Sequence, residues 1–485
     1  MPLSDSTLGP GRATLVNALG IVVPGLITLL TVPLFIHAIG NARYGVLTII
    51  WLLIGYFGVF DLGFGRALTH RLGELRLSSL NLQQQSFWTA AGLSLVTGLL
   101  GGLLFFSAAS LWLHTTTTLT PSLKQEAIDT LPWVLLALPL ATTLSVLSGT
   151  LMGYGAFLSL NLGQIIGNLL FQLLPLGIAL WFSHSLAALI PAALLGRTSS
   201  LLVMAMSCRK ILQLRGPPRF SRSEVRPLLH YGGWIMVTAL ADPLLTVVDR
   251  FVIGFLHGAS AVTAYTVPFS LVNTTLMIFP ASLQRTITPV LSQGDAATIQ
   301  QKSHACIHGI LALMTPFVVL ATLLITPFLD RWIGPSLTLT AGKVGILLLV
   351  GNGINALAQI PFTVLQCQGR PDVPARFHVW ELVPYGILLW GLTDRFGVHG
   401  AAIAWDVRVL IDTLLLFHAA GMAWMLRRGI QCAVILGATA VLALTLSYHH
   451  AAYPWLGIAL LLSSLPVSWT LLPKDWRYNI FHPRG

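Results

Sequence analysis

Charged residues are scarce in this chain, and several hallmarks of soluble enzymes are missing. Only 9% of the 485 residues are charged, whereas soluble globular domains carry about 25%. The sequence contains no Gly-x-Gly-x-x-Gly loop, no Gly-x-x-x-x-Gly-Lys-[Ser/Thr] loop, no metal-ligand cluster and no long polar segment. We therefore expect no attached soluble domain, no direct use of ATP, no cofactor and no bound metal.

Cysteine is also rare, and no Cys-x-x-Cys pair occurs. The four cysteines fall at the predicted cytoplasmic ends of apolar stretches, so we expect free thiols and no disulfide framework. They are Cys208, Cys306, Cys367 and Cys432. Met1–Pro10 lacks a basic segment followed by a short apolar core and a cleavage site. We expect the first apolar stretch to be an uncleaved helix.

Long apolar stretches make up most of the sequence. Hydrophobic residues account for 55% of the chain, and runs of about 20 residues, enough to cross about 30 Å of hydrocarbon, recur throughout. We predict an all-α polytopic membrane protein with about fourteen transmembrane helices. The predicted spans are residues 13–38, 44–64, 87–113, 131–153, 162–183, 187–207, 231–256, 261–291, 304–329, 341–366, 377–393, 398–423, 429–447 and 454–472.

Lys and Arg residues are distributed unevenly between the two sides of these spans. With a cytoplasmic N-terminus, 18 of the 27 fall in cytoplasmic segments and four on the opposite side, as the positive-inside rule requires. An even number of spans then puts both termini in the cytoplasm. The net charge of +11 indicates contact with anionic inner-leaflet lipid, and no nucleic acid is expected as a partner.

The chain divides near its middle, at the basic segment 209–226. A weak repeat relates the halves, because Pro24 and Tyr44 correspond to Pro243 and Tyr265 at a similar spacing. We predict two pseudo-repeated six-helix lobes around a central cavity, plus two extra C-terminal helices. The predicted domains are an N-terminal lobe (1–208), a basic cytoplasmic linker (209–230), a C-terminal lobe (231–426) and a final segment (427–485).

Five basic residues fall inside the predicted spans, namely Arg197, Arg250, Arg285, Lys343 and Arg408. A cation at the centre of a spanning helix costs about 2.5–3.5 kcal/mol, so it is retained where it faces a protein interior or a water-filled cavity. Several such residues in one protein indicate a cationic cavity, whose natural ligand is an anion. Arg197, Arg250 and Arg285 are the candidate substrate-binding residues.

Embedded carboxylates have both a functional and a structural interpretation. Asp242 and Asp249 share a helical face with Arg250, where they could carry a coupling ion; in the structural alternative, Asp249 neutralises an Arg of another helix. Arg408 and Asp412 are four residues apart and could form a structural pair on one helix.

Three further charged positions complete the candidate set. Glu381 falls at a similar depth to Arg285 and could be its partner or an ion carrier. Asp61 and Arg66, near the cytoplasmic end of the second span, suit a gate or a helix-end anchor better than a ligand site. Without a nucleotide loop, coupling to a proton or sodium gradient and uncoupled transport both stay open.

Motifs spread in order over residues 12–425 resemble those of polysaccharide-biosynthesis flippases of the Wzx type. These flippases belong to the MOP (multidrug/oligosaccharidyl-lipid/polysaccharide) superfamily. The motifs are Arg43-Tyr44-Gly45-Val46-Leu47, residues 56–68, Tyr231-Gly232-Gly233-Trp234, Asp249-Arg250-Phe251-Val252-Ile253-Gly254, Tyr265-Thr266-Val267-Pro268, Gly369-Arg370-Pro371-Asp372, Glu381-Leu382, residues 396–402 and Trp405-Asp406-Val407-Arg408.

The resemblance implies a translocase of the cell inner membrane. It would turn an undecaprenyl-pyrophosphate-linked oligosaccharide from the cytoplasmic to the outer leaflet by alternating access, for O-antigen, capsule or exopolysaccharide synthesis. Its implied partners are that lipid-linked substrate, membrane lipids, and polysaccharide polymerase and export proteins.

Two rival functions stay open. A multidrug or cation antiporter of the same superfamily would need an acidic cavity for its cationic substrates, whereas the charged residues inside the predicted spans of this chain are rich in arginine. A membrane polymerase or glycosyltransferase acting on the same lipid carrier would need a sizeable extramembrane loop. The longest predicted outer loop, residues 114–130, has about 17 residues and contains Glu126 and Asp129 without an obvious catalytic constellation.

Overall fold

The structure is a computed structural model. It describes residues 10–56, 63–75, 78–115, 119–214, 216–280, 283–284, 287, 291, 296–370, 372–423, 430–446 and 448–472. Within these ranges the side chains of residues 10–26, 53–56, 112, 115, 230–244, 296, 298 and 430 are not described. The regular structure of the described ranges is helical, which confirms the prediction of an all-α protein.

Helices follow one another along the described chain. They are α1 Pro10–Tyr56, α2 Phe64–Glu74, α3 Leu80–Thr115, α4 Pro121–Gly153, α5 Phe157–Trp181, α6 Leu186–Ile211, α7 Arg222–His257, α8 Ala259–Leu276, α9 Ala296–Ile333, α10 Pro335–Cys367, α11 Asp372–Phe396, α12 Val398–Ala419, α13 Ile430–Thr445 and α14 Ala452–Leu471. Eight helices in the described residues are long and apolar enough to cross a membrane. The multi-pass prediction is therefore confirmed, while the count of fourteen spans stays a prediction.

Two glycines interrupt the helices near predicted span boundaries. Gly40 has a φ of 80° and a ψ of 164° inside α1, so the helix kinks there, between the first two predicted spans. Gly258, with a φ of 82°, is the single residue between α7 and α8. Such positive φ values are accessible to glycine at little cost, which allows abrupt changes of direction without a long loop.

The chain folds into two compact units. The first comprises the residues up to Val247 together with Gly258–Ser260, and the second comprises Val248–His257 and the residues from Ala261 onward. Each unit is described by itself below. The boundaries of the four predicted domains stay a prediction.

In the first unit, glycines let helices approach very closely. A Cβ added at Gly149 of α4 would lie 2.1 Å from the carbonyl oxygen of Gly65 of α2. A Cβ at Gly167 of α5 would lie 2.4 Å from Cβ of Ser200, and one at Gly196 of α6 would lie 2.3 Å from the backbone nitrogen of Phe171. The last two contacts fix α5 and α6 as a tight pair.

An ion pair fastens the start of α7 to α2 and α3. Arg71 donates from Nε and Nη2 to the two oxygens of Glu224, both at 2.9 Å, and Ser86 Oγ donates to Glu224 Oε2 at 2.6 Å. Glu224 precedes the apolar part of α7 and its side chain is only 3% exposed. The guanidinium of Arg71 holds the pKa of Glu224 below its usual value. The start of α7, which overlaps the end of the basic segment 209–226, is thereby anchored within the first unit.

In the second unit, α10 is the most deeply enclosed helix. It packs against α9 and α12, and α11 packs along α12. The two C-terminal helices α13 and α14 pack on α9, where Tyr453 Oη donates to the carbonyl oxygen of Leu323 at 3.1 Å. Apolar side chains such as Trp455 and Leu462 are exposed on α14, as expected for a surface that contacts lipid.

Candidate substrate-binding pocket and embedded charges

Arg197 lies near the middle of α6, at the contact with α5. Its Nη1 donates to Asn168 Oδ1 at 3.1 Å, and its guanidinium carbon lies 4.6 Å from the centre of the Phe171 ring. The backbone contact at the adjacent Gly196 brings α5 close enough for both interactions. A charge-assisted hydrogen bond contributes about 1.5–3 kcal/mol and a desolvated cation–π contact about 2 kcal/mol, which offsets part of the cost of embedding the cation.

A pocket of about 260 Å³ lies beside Arg197 within the first unit. Residues of α4, α5 and α6 line it, and they combine one cation with amide, hydroxyl and apolar groups. They are Ala137, Leu140, Ala141, Leu144, Ser145, Ser148, Gln164, Asn168, Arg197, Ser200 and Met204. The described lining thus includes a positive charge and no carboxylate, so it suits an acceptor-rich or anionic group.

Arg197 has no carboxylate partner in the part of the chain that the structure describes. A guanidinium without a counter-ion retains hydrogen-bond donors for a ligand, and its planar fork matches phosphate or carboxylate oxygens. Among the predicted substrate-binding residues, Arg197 is therefore the one that lines a described pocket with its charge uncompensated.

Arg250, by contrast, is enclosed and paired within the second unit. Its Nη1 lies 2.6 Å from Asp249 Oδ1, and the two side chains are 2% and 0% exposed. Tyr265 Oη donates to Asp249 Oδ2 at 2.6 Å, and the Arg250 guanidinium carbon lies 3.9 Å from the centre of the Phe269 ring. In this arrangement Asp249 neutralises its neighbour on the same helix, whereas the structural interpretation of the sequence placed its partner on another helix.

A second cluster of embedded charges joins α11 and α12. Arg408 Nη1 lies 3.6 Å from Glu381 Oε2, with side chains 10% and 8% exposed. His378 Nε2 lies 3.9 Å from Asp412 Oδ1, and the Arg408 guanidinium carbon lies 5.4 Å from the Tyr385 ring centre. Arg408 thus has a partner on the neighbouring helix, and His378 is a member of the cluster that sequence reasoning missed.

The remaining predicted site residues are dispersed. Arg285 and Asp61 lie outside the described residues, and Asp242 lies in α7 with its side chain undescribed. Arg66 is exposed on α2, and Lys343 is exposed on α10. The predicted roles of these residues, and of the embedded set as substrate-binding or ion-coupling groups, stay predictions.

Sequence reasoning also missed an amide stripe on α5. Asn161, Gln164, Asn168 and Gln172 recur at intervals of three or four residues, which puts them on one face of a helix. Two of them, Gln164 and Asn168, line the pocket. The signal was present as a polar stripe in an otherwise apolar helix, but it contains no charge.

Two proteins similar to this chain are named for O-antigen transport and glycan flipping. It is 28% identical over 409 residues to a candidate O-antigen transporter of Shigella flexneri, covering 82% of this chain and 95% of that protein. It is 26% identical over 218 residues to a candidate low-salt glycan biosynthesis flippase of Haloferax volcanii, covering 44% of this chain and 46% of that protein.

Solved structures share the fold at low sequence identity. The lipid II flippase MurJ, in an inward closed conformation, matches with a TM-score of 0.75 and 14% identity, covering 96% of this chain and 99% of that chain. An inward-facing multidrug resistance MATE family transporter of the MOP superfamily matches with a TM-score of 0.67 and 13% identity, covering 87% and 99%. The predicted polytopic membrane fold is thus confirmed.

The family resemblance drawn from the motifs is confirmed independently. The family described as polysaccharide biosynthesis protein matches residues 39–336, more than half of the chain. That range includes the Arg43-Tyr44-Gly45 and Asp249-Arg250 motifs, the α5–α6 pair and the pocket beside Arg197. This chain belongs to the polysaccharide biosynthesis protein family.

Proposed function

We propose that this protein is a flippase that moves an undecaprenyl-pyrophosphate-linked oligosaccharide from the cytoplasmic to the outer leaflet of the cell inner membrane. The relatives named as an O-antigen transporter and a glycan flippase support this proposal, as does the family to which the chain belongs. The fold shared with a lipid II flippase agrees with it. The product would serve O-antigen, capsule or exopolysaccharide synthesis, alongside polysaccharide polymerase and export proteins.

The observation that carries the proposal is the cation of Arg197, which has no carboxylate partner among the described residues. A lipid-linked sugar presents a diphosphate, a sugar block and a polyprenyl tail. The tail stays in lipid, whereas the diphosphate needs a fixed cation away from bulk water, where electrostatic attraction is stronger. Arg197 lines a pocket in a helix long and apolar enough to cross a membrane, so it supplies such a cation.

A cation antiporter is the nearest rival, because MATE transporters share this fold. Fold alone does not decide function, so the site has to. A pocket for cationic drugs would need acidic groups, and the described lining beside Arg197 contains none. The local electrostatics favour an anionic ligand.

An enzyme acting on the lipid carrier is disfavoured by the state of Glu126. This carboxylate of the predicted outer segment accepts hydrogen bonds from Arg43 Nε and Nη2 at 2.7–3.1 Å. The pair joins α1 to the start of α4 and occupies both carboxylate oxygens. Glu126 therefore serves a structural role. The relatives of this chain are named as a transporter and a flippase, not as enzymes.

The other embedded charges have proposed roles of their own. Arg250 and Arg285 would add to the cationic path, and Asp242, Asp249, Glu381 and Asp412 would couple transport to an ion gradient or pair with cations. Asp61 and Arg66 would form a gate or a helix-end anchor. The enclosed state of Asp249 and Arg250 makes their pairing the first effect to test.

The test of function compares Arg197→Ala with Arg197→Lys in the purified full-length protein, reconstituted into liposomes with a fluorescent polyprenyl-diphosphate sugar. We expect alanine to reduce the flipping rate at least tenfold and lysine to restore part of it, because a point charge replaces the planar fork. Arg395→Ala, at an exposed arginine near the end of α11, is the matched control. A normal rate for a well-folded Arg197→Ala protein would refute the proposal.

Membrane orientation has a separate test. Both termini are proposed to be cytoplasmic, from the 18-to-4 distribution of basic residues. Cysteine introduced at the exposed Ser122 of α4 or the exposed Ser223 of α7 should react with impermeant reagents from opposite sides in a background without the native cysteines. Labelling of both from outside the cell would contradict the topology.

A further inference from the structure

In the amide stripe on α5, one side chain is hydrogen-bonded to another helix and two side chains line the pocket. Gln172 Nε2 donates a hydrogen bond to Oγ1 of Thr28, on α1, at a distance of 3.4 Å. Asn168 accepts from Arg197, and Gln164 is an exposed side chain that lines the pocket. An amide is costly in an apolar span unless it has hydrogen-bond partners. Gln164 therefore occupies a position suited to a polar ligand.

The hydrogen-bonding capacity around the pocket is specific. The Oδ1 atom of Asn168 is used by Arg197, so its amide hydrogens are the groups that can donate to a ligand. Gln164 offers both a donor and an acceptor, and the hydroxyls of Ser148 and Ser200 line the same space. Adjacent to one cation, the described lining thus offers neutral donors and acceptors of the kind that match sugar substituents.

The size of the pocket limits what it can hold. Its volume of about 260 Å³ is below the range of about 300–1,000 Å³ that is usual for drug-sized ligands. A pocket of this size suits the group of a lipid-linked sugar that lies next to Arg197 rather than a whole enclosed oligosaccharide. If a phosphate of the carrier pairs with Arg197, the ring that reaches Gln164 is the one attached to that phosphate.

We infer that the pocket between α4, α5 and α6 selects the sugar residue that is bonded to the diphosphate, with Gln164 and Asn168 as the specificity-determining side chains. This inference rests on the proposed function, since it takes Arg197 as the phosphate partner. Arg197 would then set the overall rate for any lipid diphosphate. Gln164 and Asn168 would set the ratio of rates between sugars that differ in one hydrogen-bonding substituent.

The experiment uses liposomes containing the full-length protein and two probes, polyprenyl-diphosphate N-acetylglucosamine and polyprenyl-diphosphate galactose. The wild-type protein should flip them at initial rates that differ at least fivefold. Gln164→Leu, which removes the amide at similar volume, should bring that ratio to within about twofold of one. Arg197→Lys should reduce both rates in similar proportion and keep the wild-type ratio.

Gln172→Leu is the matched control, because it removes an amide of the same stripe whose partner is Thr28. It should keep the wild-type ratio. A wild-type protein that flips both probes equally, or a folded and active Gln164→Leu protein that keeps the wild-type ratio, would overturn the inference while leaving the proposed function intact. Failure of the wild-type protein to flip either probe would instead remove the proposed function, and the inference with it.

Discussion

Replacing Arg250 by methionine tests the enclosed ion pair of the second unit. The substitution keeps much of the side-chain length but leaves Asp249 without the guanidinium that lies 2.6 Å from its Oδ1. Removing one partner of a buried pair typically costs about 3–5 kcal/mol, because the other charge is left uncompensated. Since Asp249 is 0% exposed, water cannot replace the lost partner. We expect destabilisation within that range, a large share of a typical unfolding free energy of about 5–15 kcal/mol.

A double variant isolates the charge from the packing. In Asp249→Asn with Arg250→Met no charge is left, and the asparagine Oδ1 can still accept from Tyr265, which now donates to Asp249 at 2.6 Å. Replacement of a whole buried pair by neutral groups is often close to neutral. The contact of Arg250 with the Phe269 ring at 3.9 Å is partly kept by a sulfur–aromatic contact. We expect the double variant to recover most of the stability that Arg250→Met loses.

The assay is thermal unfolding of the detergent-purified proteins at one pH, with Arg395→Met, at an exposed arginine, as the control. Unfolding of Arg250→Met at the wild-type temperature would refute the reasoning. So would a double variant that is no more stable than Arg250→Met. The stable double variant then allows the predicted substrate-binding role of Arg250 to be tested separately. Loss of flipping at a normal protein level would support a transport role for Arg250 or for Asp249, which the double variant also changes, and full flipping would contradict both roles.

Three further variants test other parts of the structure. Gly196→Ala should lower the melting temperature and the flipping rate together, because its Cβ would overlap the backbone of α5 at a cost of about 1–3 kcal/mol. Gly391→Ala is the control, because a Cβ there meets nothing within 4 Å. Equal effects from the two variants would contradict this explanation. Glu224 has a lowered folded-state pKa because it accepts hydrogen bonds from Arg71. Its stabilising effect is therefore present above its unfolded pKa of about 4.3 and is lost as the pH falls through the folded pKa. The melting temperature of Glu224→Gln should accordingly fall less on acidification than that of the wild-type protein. Glu381→Gln should flip lipid at a rate that no longer responds to collapse of the proton gradient, and an unchanged response would assign the carboxylate a purely structural role.

The helical, multi-pass character of this protein was predictable, because a long apolar stretch has few stable alternatives in a bilayer. The break near Gly40 and the short connection at Gly258 were also visible, as glycines between apolar runs. Motif order predicted the family, which the match over residues 39–336 confirms. These features depend on local sequence, so one chain was enough to find them.

The arrangement of charges was harder to predict, since it depends on which helices become neighbours. Spacing on one helix suggested a pair between Arg408 and Asp412, but it could not show that Glu381 of α11 lies 3.6 Å from Arg408. The partner of Asp249 was its own sequence neighbour, Arg250. Adjacent residues usually diverge on a helix, so spacing alone did not single out this pair.

The close contacts of α5 and α6 determine how this pocket can change in evolution. Gly167 and Gly196 have no room for a side chain, so substitutions there would shift the helix that carries Arg197. Gln164 is exposed on the pocket side of the same helix pair, where a different side chain meets no such backbone obstacle. Under the proposed function, a lineage could therefore alter the sugar it accepts through substitutions at this position, while the glycine contacts keep Arg197 in place.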